Sequence, residues 1–182
     1  IFWREEKFKG DGHSAYTSME KIKAMAERKG YDLTSDNESG ILYSDKYFDL
    51  DSKNSAKKVV LKYSNLYTTG YEYDRETKLY EKTINGNPHI MQNNNTVKVK
   101  NIIVQFITDV SLGDGSARRN INTTGSGKGY YFTNGAYEEI TWSKASRGAN
   151  TVYKKADGTE LKLNPGNTIV NIFNPASEIV IE

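Results

Sequence analysis

Cysteine is absent from this chain, histidine occurs only twice, and no apolar run approaches the length of a membrane span. Without cysteine there is no disulfide framework and no thiolate to act as nucleophile or metal ligand. The remaining composition, rich in Asn, Thr, Tyr and Lys, points to an exported protein. A spanning helix needs roughly 18 or more consecutive apolar residues, and none is found. A charge excess is lacking as well: 25 basic residues face 23 acidic ones, for a formal net charge of +2. Lysines lie among acids, as Lys57 and Lys58 follow Asp49 and Asp51, so no basic stripe exists and nucleic acid is excluded as a partner. The chain opens at Ile1-Phe2-Trp3-Arg4 with neither initiator methionine nor signal peptide, and is expected to be a mature or trimmed piece of a longer protein.

Hydrophobic residues make up 36% of the 182 positions, below the usual share of about 45–50 %. Thirteen tyrosines partly make up the difference. Tyrosine joins a large apolar face to a hydroxyl that stays wet, which suits half-buried sheet surfaces. The length allows one good-sized core or two small ones.

Residues 17–30 predict a helix. Thr17 and Glu20 are placed as a capping box, each satisfying an exposed amide of the other's end. Met19, Ile22, Met25 and Ala26 then share one face, read as packing surface, and Gly30 supplies a left-handed cap. Residues 31–54 are acidic and irregular. Beyond them the pattern is strand-like: 59–64, 67–74, 78–84, 97–110, 120–124, 129–133, 136–142, 151–155, 160–163 and 168–173. In the long 97–110 run, Ile102-Ile103-Val104 reads as a strand buried on both faces. Asn85-Gly86, Asn134-Gly135 and Asp157-Gly158 are tight-turn pairs that supply φ > 0, and Asn164-Pro165-Gly166-Asn167 is a further turn. The expectation is an α+β fold: one N-terminal helix followed by a predominantly antiparallel sheet, sandwich-like or barrel-like. A domain boundary is placed near residues 51–57, giving 1–54 as part of an α+β domain and 55–182 as a β-rich domain.

Material for catalysis is sparse. Only His13 and His89 can serve as a base, and Gly125-Ser126-Gly127 precedes a strand, the wrong context for a nucleophile elbow. The same stretch with Lys128 and Gly129 mimics a phosphate loop. Its first glycine position falls on Asn122, however, and Gly129 replaces the metal-binding hydroxyl. Asp45, Asp49, Asp51 and Asn54 have a calcium-like spacing but lack the loop glycine and the closing glutamate. The histidines show no zinc spacing, so no metal and no cofactor is expected. Glu138 and Glu139 are adjacent on a strand and point to opposite faces, so they cannot act as a pair and read as a solvated edge.

Several motifs then fall in a telling order: Phe2-Trp3-Arg4; Gly12-His13-Ser14-Ala15-Tyr16-Thr17-Ser18; Tyr73-Asp74, Tyr80 and Asn85-Gly86-Asn87-Pro88-His89; Lys100-Asn101-Ile102-Ile103-Val104; and Gly125 to Tyr131, Asn134-Gly135, Thr141-Trp142-Ser143-Lys144, Asp157-Gly158 and Asn164-Pro165-Gly166. Together they resemble the YerB-like lipoproteins of Gram-positive bacteria, over the later part of that family's length. Ser14 stands where the family commonly has asparagine, and Lys82 where it has arginine. The resemblance implies an extracytoplasmic protein anchored through an N-terminal lipid absent from this chain. It implies no reaction, since the family has none assigned.

Two functions follow. The first is a non-catalytic binding or scaffold module of the cell envelope, recognising a cell-wall component or an envelope protein. Its surface would gather His13, Tyr16, Tyr80, His89, Trp142 and Lys144, an aromatic-plus-cation set suited to a sugar ring, a carboxylate or a peptide. Alternation places Trp142 with Ile140, which also marks it for the core. The second is a cell-wall hydrolase or transferase using His13 or His89 with a carboxylate such as Asp74 or Asp11.

Overall fold

The computed structural model describes residues 1–34, 40–116 and 118–182. Of the stretch read as irregular, residues 35–39 lie outside the described ones. The chain divides into two compact units, Ile1–Glu38 and Ser39–Glu182.

In the first unit, β1 (Trp3–Arg4) pairs antiparallel with β2 (Ala15–Tyr16), which sets Trp3 opposite Tyr16. Their rings lie 6.1 Å apart, and Phe8 stacks on Tyr16 at 6.4 Å. Helix α1 (Met19–Arg28) follows. Its cap is Ser18, one residue later than expected: the Ser18 hydroxyl accepts the Lys21 N–H at 3.3 Å, while the Thr17 hydroxyl donates to the Ile1 carbonyl at 3.0 Å. Gly30 does take the left-handed conformation, at φ 66. The apolar face read as packing surface is not buried, for no residue of α1 is buried and Met19 is 66% exposed.

The second unit contains β3 (Leu42–Tyr43), β4 (Lys58–Ser64), β5 (Tyr67–Asp74), β6 (Leu79–Ile84), β7 (Asn87–Pro88), β8 (Lys98–Val99), β9 (Asn101–Phe106), β10 (Asp109–Ser111), β11 (Arg119–Ile121), β12 (Gly125–Thr133), β13 (Ala136–Lys144), β14 (Val152–Lys155), β15 (Lys162–Leu163), β16 (Thr168–Phe173) and β17 (Ile179–Ile181). One sheet runs β17-β4-β5-β6-β7, with β8 also on β6; the other runs β14-β13-β12-β9-β16. Within the two sheets only β9 and β16 run parallel. Asn85-Gly86 and Asn134-Gly135 form the expected turns, with φ of 50 and 78, and of 52 and 75. Asp157-Gly158 also closes a short antiparallel turn, with the Lys155 N–H donating to the Thr159 carbonyl at 2.9 Å and the Leu161 N–H to the Tyr153 carbonyl at 2.9 Å, though only Gly158 has positive φ. Beyond it the chain leaves β14, and β15 pairs parallel with β3. The segment 40–54, placed by the sequence with the first domain, packs on this unit through Ile41, Phe48 and Leu50.

The two sheets face each other across one core. Val59, Leu61, Tyr71, Tyr80 and Val99 from the first sheet meet Ile102, Val104, Phe132 and Phe173 from the second. Alternation sends the intervening residues Ile103, Tyr131, Ile140, Trp142 and Tyr153 to the opposite face of the second sheet, where Leu161, Leu163 and the 40–50 segment cover them. The second sheet is therefore buried on both faces, as the continuous apolar run in β9 predicts. The 97–110 run is not one strand. It changes sheets at Lys100, because β8 pairs with β6 while β9 pairs with β12 and β16.

A buried polar network closes the second core. The Tyr131 hydroxyl donates to Asn101 Oδ1 at 2.8 Å and accepts the Asn164 N–H at 3.0 Å. Asn101 Nδ2 donates to the Asn164 carbonyl at 2.8 Å. The Asn164 side chain then grips the Phe48 peptide, accepting its N–H at 2.8 Å and donating to its carbonyl at 2.9 Å. Burial pushes the Tyr131 hydroxyl up to about 12, so it stays protonated and able to donate. Asn164→Leu would keep the volume but leave the Phe48 N–H without its acceptor. A loss of about 2–4 kcal/mol is expected, read from urea denaturation with an unchanged m-value.

Candidate ligand-binding site

Of the six residues selected from the sequence, His13 and Tyr16 belong to the first unit and the other four to the second, and two of those four are buried. Tyr80 is fully buried in the core between the sheets, its hydroxyl donating to the Ala56 carbonyl at 3.1 Å. Trp142 is buried on the other face of the second sheet, its indole N–H donating to the Phe106 carbonyl at 3.1 Å. These two rings are packing residues on opposite sides of a sheet, so neither is presented to a ligand with the other. Lys144 is partly exposed at the end of β13. The His89 backbone N–H donates to the Lys82 carbonyl at 2.9 Å, and its Nδ1 is buried without a hydrogen-bond partner among the described residues.

The carboxylates named as catalytic partners are engaged in their own turns. Asp11 accepts the His13 backbone N–H at 2.8 Å. Asp74 accepts the Thr77 hydroxyl at 2.7 Å and the Glu76 N–H at 2.9 Å, which hold its carboxyl below the usual range. Among the described residues no three His, Asp or Glu gather as a metal site. Glu138 departs from the solvated-edge reading: one carboxylate oxygen is buried without a hydrogen-bond partner, and desolvation raises its pKa against the pull of Lys155. A carboxyl whose folded pKa is raised stabilises the fold below its unfolded value of 4.5 and loses that contribution as pH rises through the folded value. Glu138→Gln should therefore be more stable than the parent at neutral pH and should flatten the stability profile above that point, measured by denaturation across pH.

A different place gathers chemistry. A cavity of about 620 Å³ in the second unit is lined by Tyr47, Asp49, Lys78, Lys98, Lys100 and Asn134, with Pro165-Gly166-Asn167 along one side. The volume is in the range of small-molecule sites, about 300–1,000 Å³. Each wall has a local cause. Lys100 sits at the crossover between sheets and is 4% exposed as a whole residue. Gly166, at φ 133, lets the backbone come so close that an added Cβ would lie 2.8 Å from Lys100 Cβ. Asn134 takes the left-handed position of the β12–β13 turn, and its Nδ2 donates to the Phe48 carbonyl at 2.9 Å and to Asp49 Oδ1 at 2.7 Å. Tyr47 and Asp49 thus project from either side of the clamped Phe48 peptide.

The Lys100 ammonium donates to Asn134 Oδ1 and, at 3.1 Å, to the Lys78 carbonyl. It lies 5.4 Å from the centre of the Tyr47 ring, a ring that is 72% exposed. Lys98 is tied to Glu81 at 2.6 Å, whereas among the described residues neither Lys78 nor Lys100 forms a salt bridge. Sequence reasoning passed over this group because Lys100 read as an alternating strand residue and Asn134, Pro165 and Gly166 as turn residues. The available signal was a Lys-Asn pair at the mouth of an apolar run. Desolvation, then the nearby Lys78, lowers the Lys100 pKa, with Asp49 opposing. In the window below 10.5, the native state releases this proton before the unfolded chain does, so stability contributed here rises with pH. Among the lysines, Lys100 is expected to titrate at the low end, as read from side-chain NMR of the Nζ-adjacent carbon.

Comparison with known proteins places the chain. It is 29% identical over 177 residues to the Bacillus subtilis (strain 168) protein named "Putative lipoprotein YerB", covering 94% of this chain and 51% of that protein. The chain thus spans about half of its relative's length. The crystal structure of YerB protein from Bacillus subtilis matches with a TM-score of 0.79 at 28% identity, over 98% of this chain and 59% of the other. Among the described residues no helix is long and apolar enough to cross a membrane. Residues 59–170, which hold most of the sandwich and Lys78, Lys98, Lys100 and Asn134, match the model of the protein of unknown function (DUF3048) C-terminal domain, and the chain belongs to that family.

Proposed function

We propose that this chain is a non-catalytic binding module of the bacterial cell envelope, held outside the membrane in the full-length protein by an N-terminal lipid, with the Lys100 cavity as its ligand site. Its location rests on the likeness to a protein named as a lipoprotein. One observation carries the binding role. A buried lysine ends in a cavity of about 620 Å³, held there by two neutral oxygens with no carboxylate within ion-pair distance among the described residues. Keeping a cation in such a place lowers stability, and an incoming ligand of opposite charge offsets that penalty. The hydrolase or transferase reading draws on His13 and His89, and no specific observation favours it over binding.

The test is retention on purified cell-wall material and on solubilised muropeptides. Lys100→Met should lose about ten-fold or more in affinity while keeping its thermal midpoint within a few degrees. His89→Ala should bind as the parent does, and the muropeptides should be recovered unchanged. Undiminished binding by Lys100→Met removes the cavity as the site, and turnover of the muropeptides overturns the non-catalytic role.

A further inference from the structure

Resting on the reading of the Lys100 cavity as a ligand site, we infer that its ligand is an acidic sugar, a hexose-sized ring bearing a carboxylate or phosphate. The cavity lining carries two kinds of group. Lys78, Lys98 and Lys100 supply cations, and of these three only Lys98 has a carboxylate within ion-pair distance among the described residues. Lys78 stands at φ 56, a conformation that few side chains adopt, and its carbonyl accepts the Lys100 ammonium at 3.1 Å. Two cationic side chains thus line one space, an arrangement that an anion relieves.

The rest of the lining suits a ring with hydroxyl groups. Tyr47 is 72% exposed, with the Lys100 ammonium 5.4 Å from its ring centre, and offers a phenol surface beside that cation on which the apolar side of a pyranose stacks. Beside it, Asp49 accepts the Asn134 amide through one oxygen and keeps the second as an acceptor for a hydroxyl. A simple anion is too small for this space and leaves Tyr47 and Asp49 unmatched. A neutral sugar leaves the lysines unmatched, and an aliphatic acid sets hydrocarbon against a carboxylate. A polyhydroxy ring with an acidic substituent matches both sets of groups.

Three sugars on a shared scaffold test this: N-acetylglucosamine, N-acetylmuramic acid, which adds a carboxylate, and the 6-phosphate of N-acetylglucosamine. Calorimetry and amide shift mapping at low salt should show one or both acidic sugars binding about ten-fold or more tightly than the neutral one. The shifts should centre on Tyr47, Lys78 and Lys100. Which acidic sugar binds more tightly distinguishes a carboxylated glycan from a sugar-phosphate polymer as the source. Lys78→Met and Lys100→Met should each abolish that preference, and Tyr47→Ala should weaken the sugars while leaving weak inorganic phosphate binding unchanged. Equal affinity for the neutral sugar, or no binding by any of the three, overturns the inference. If retention on cell-wall material still depends on Lys100 in that case, the cavity stands as a site for another ligand; if it does not, the binding role fails too.

Discussion

The Phe48 peptide group is held against the sandwich by side chains and not by a neighbouring strand. Asn164 takes the place of a ladder partner, accepting the Phe48 N–H and donating to its carbonyl, and Asn134 adds a second donor to that carbonyl. Asn164 is in turn fixed by Tyr131 and Asn101, so strands β9 and β12 and the turn before β16 all meet in one buried network. Such a network is favourable only when every member is satisfied, since a buried unmatched polar group costs about 1–3 kcal/mol. The segment 40–50 therefore behaves as part of the second core, and Tyr47 and Asp49 inherit fixed positions beside the cavity.

That rigidity bears on Lys100. Its stem is walled by Gly166, and its ammonium is directed between Asn134 and the Lys78 carbonyl, so the charge is preorganised. A fold optimised for stability alone would place an apolar residue at the crossover between the sheets. Retaining a cation there trades stability for an electrostatic feature, a pattern expected where a protein binds something.

The strands were largely legible because alternation and Asn-Gly turns are local signals: β5, β16 and the β12–β13 hairpin follow from a few adjacent residues each. The helix was legible to within one residue at its cap. The long-range parallel pairs, β9 with β16 and β15 with β3, were not, because nothing in a short window encodes a partner some sixty-seven to one hundred and twenty residues away. The candidate site suffered most. Tyr80 and Trp142 were grouped by chemistry, yet they lie on different sheets and are buried in different clusters, Tyr80 between the two sheets and Trp142 on the far face of the second. Asn134 and Gly166 were assigned to turns, which is correct locally and incomplete, since the same turns form the cavity wall.

By itself the sequence determined the α+β class, the period of each major strand, the double burial of β9 and the family resemblance. These depend on side-chain type at spacings of one to four residues, where sterics and the hydrophobic effect act without knowledge of the whole chain. Only the tertiary structure decided that the chain changes sheets at Lys100, that Asn164 clamps Phe48, and that three lysines, a tyrosine and an aspartate share one cavity. Those outcomes depend on which distant segments close around one another, and a charge gains its chemistry from the surroundings that closure provides.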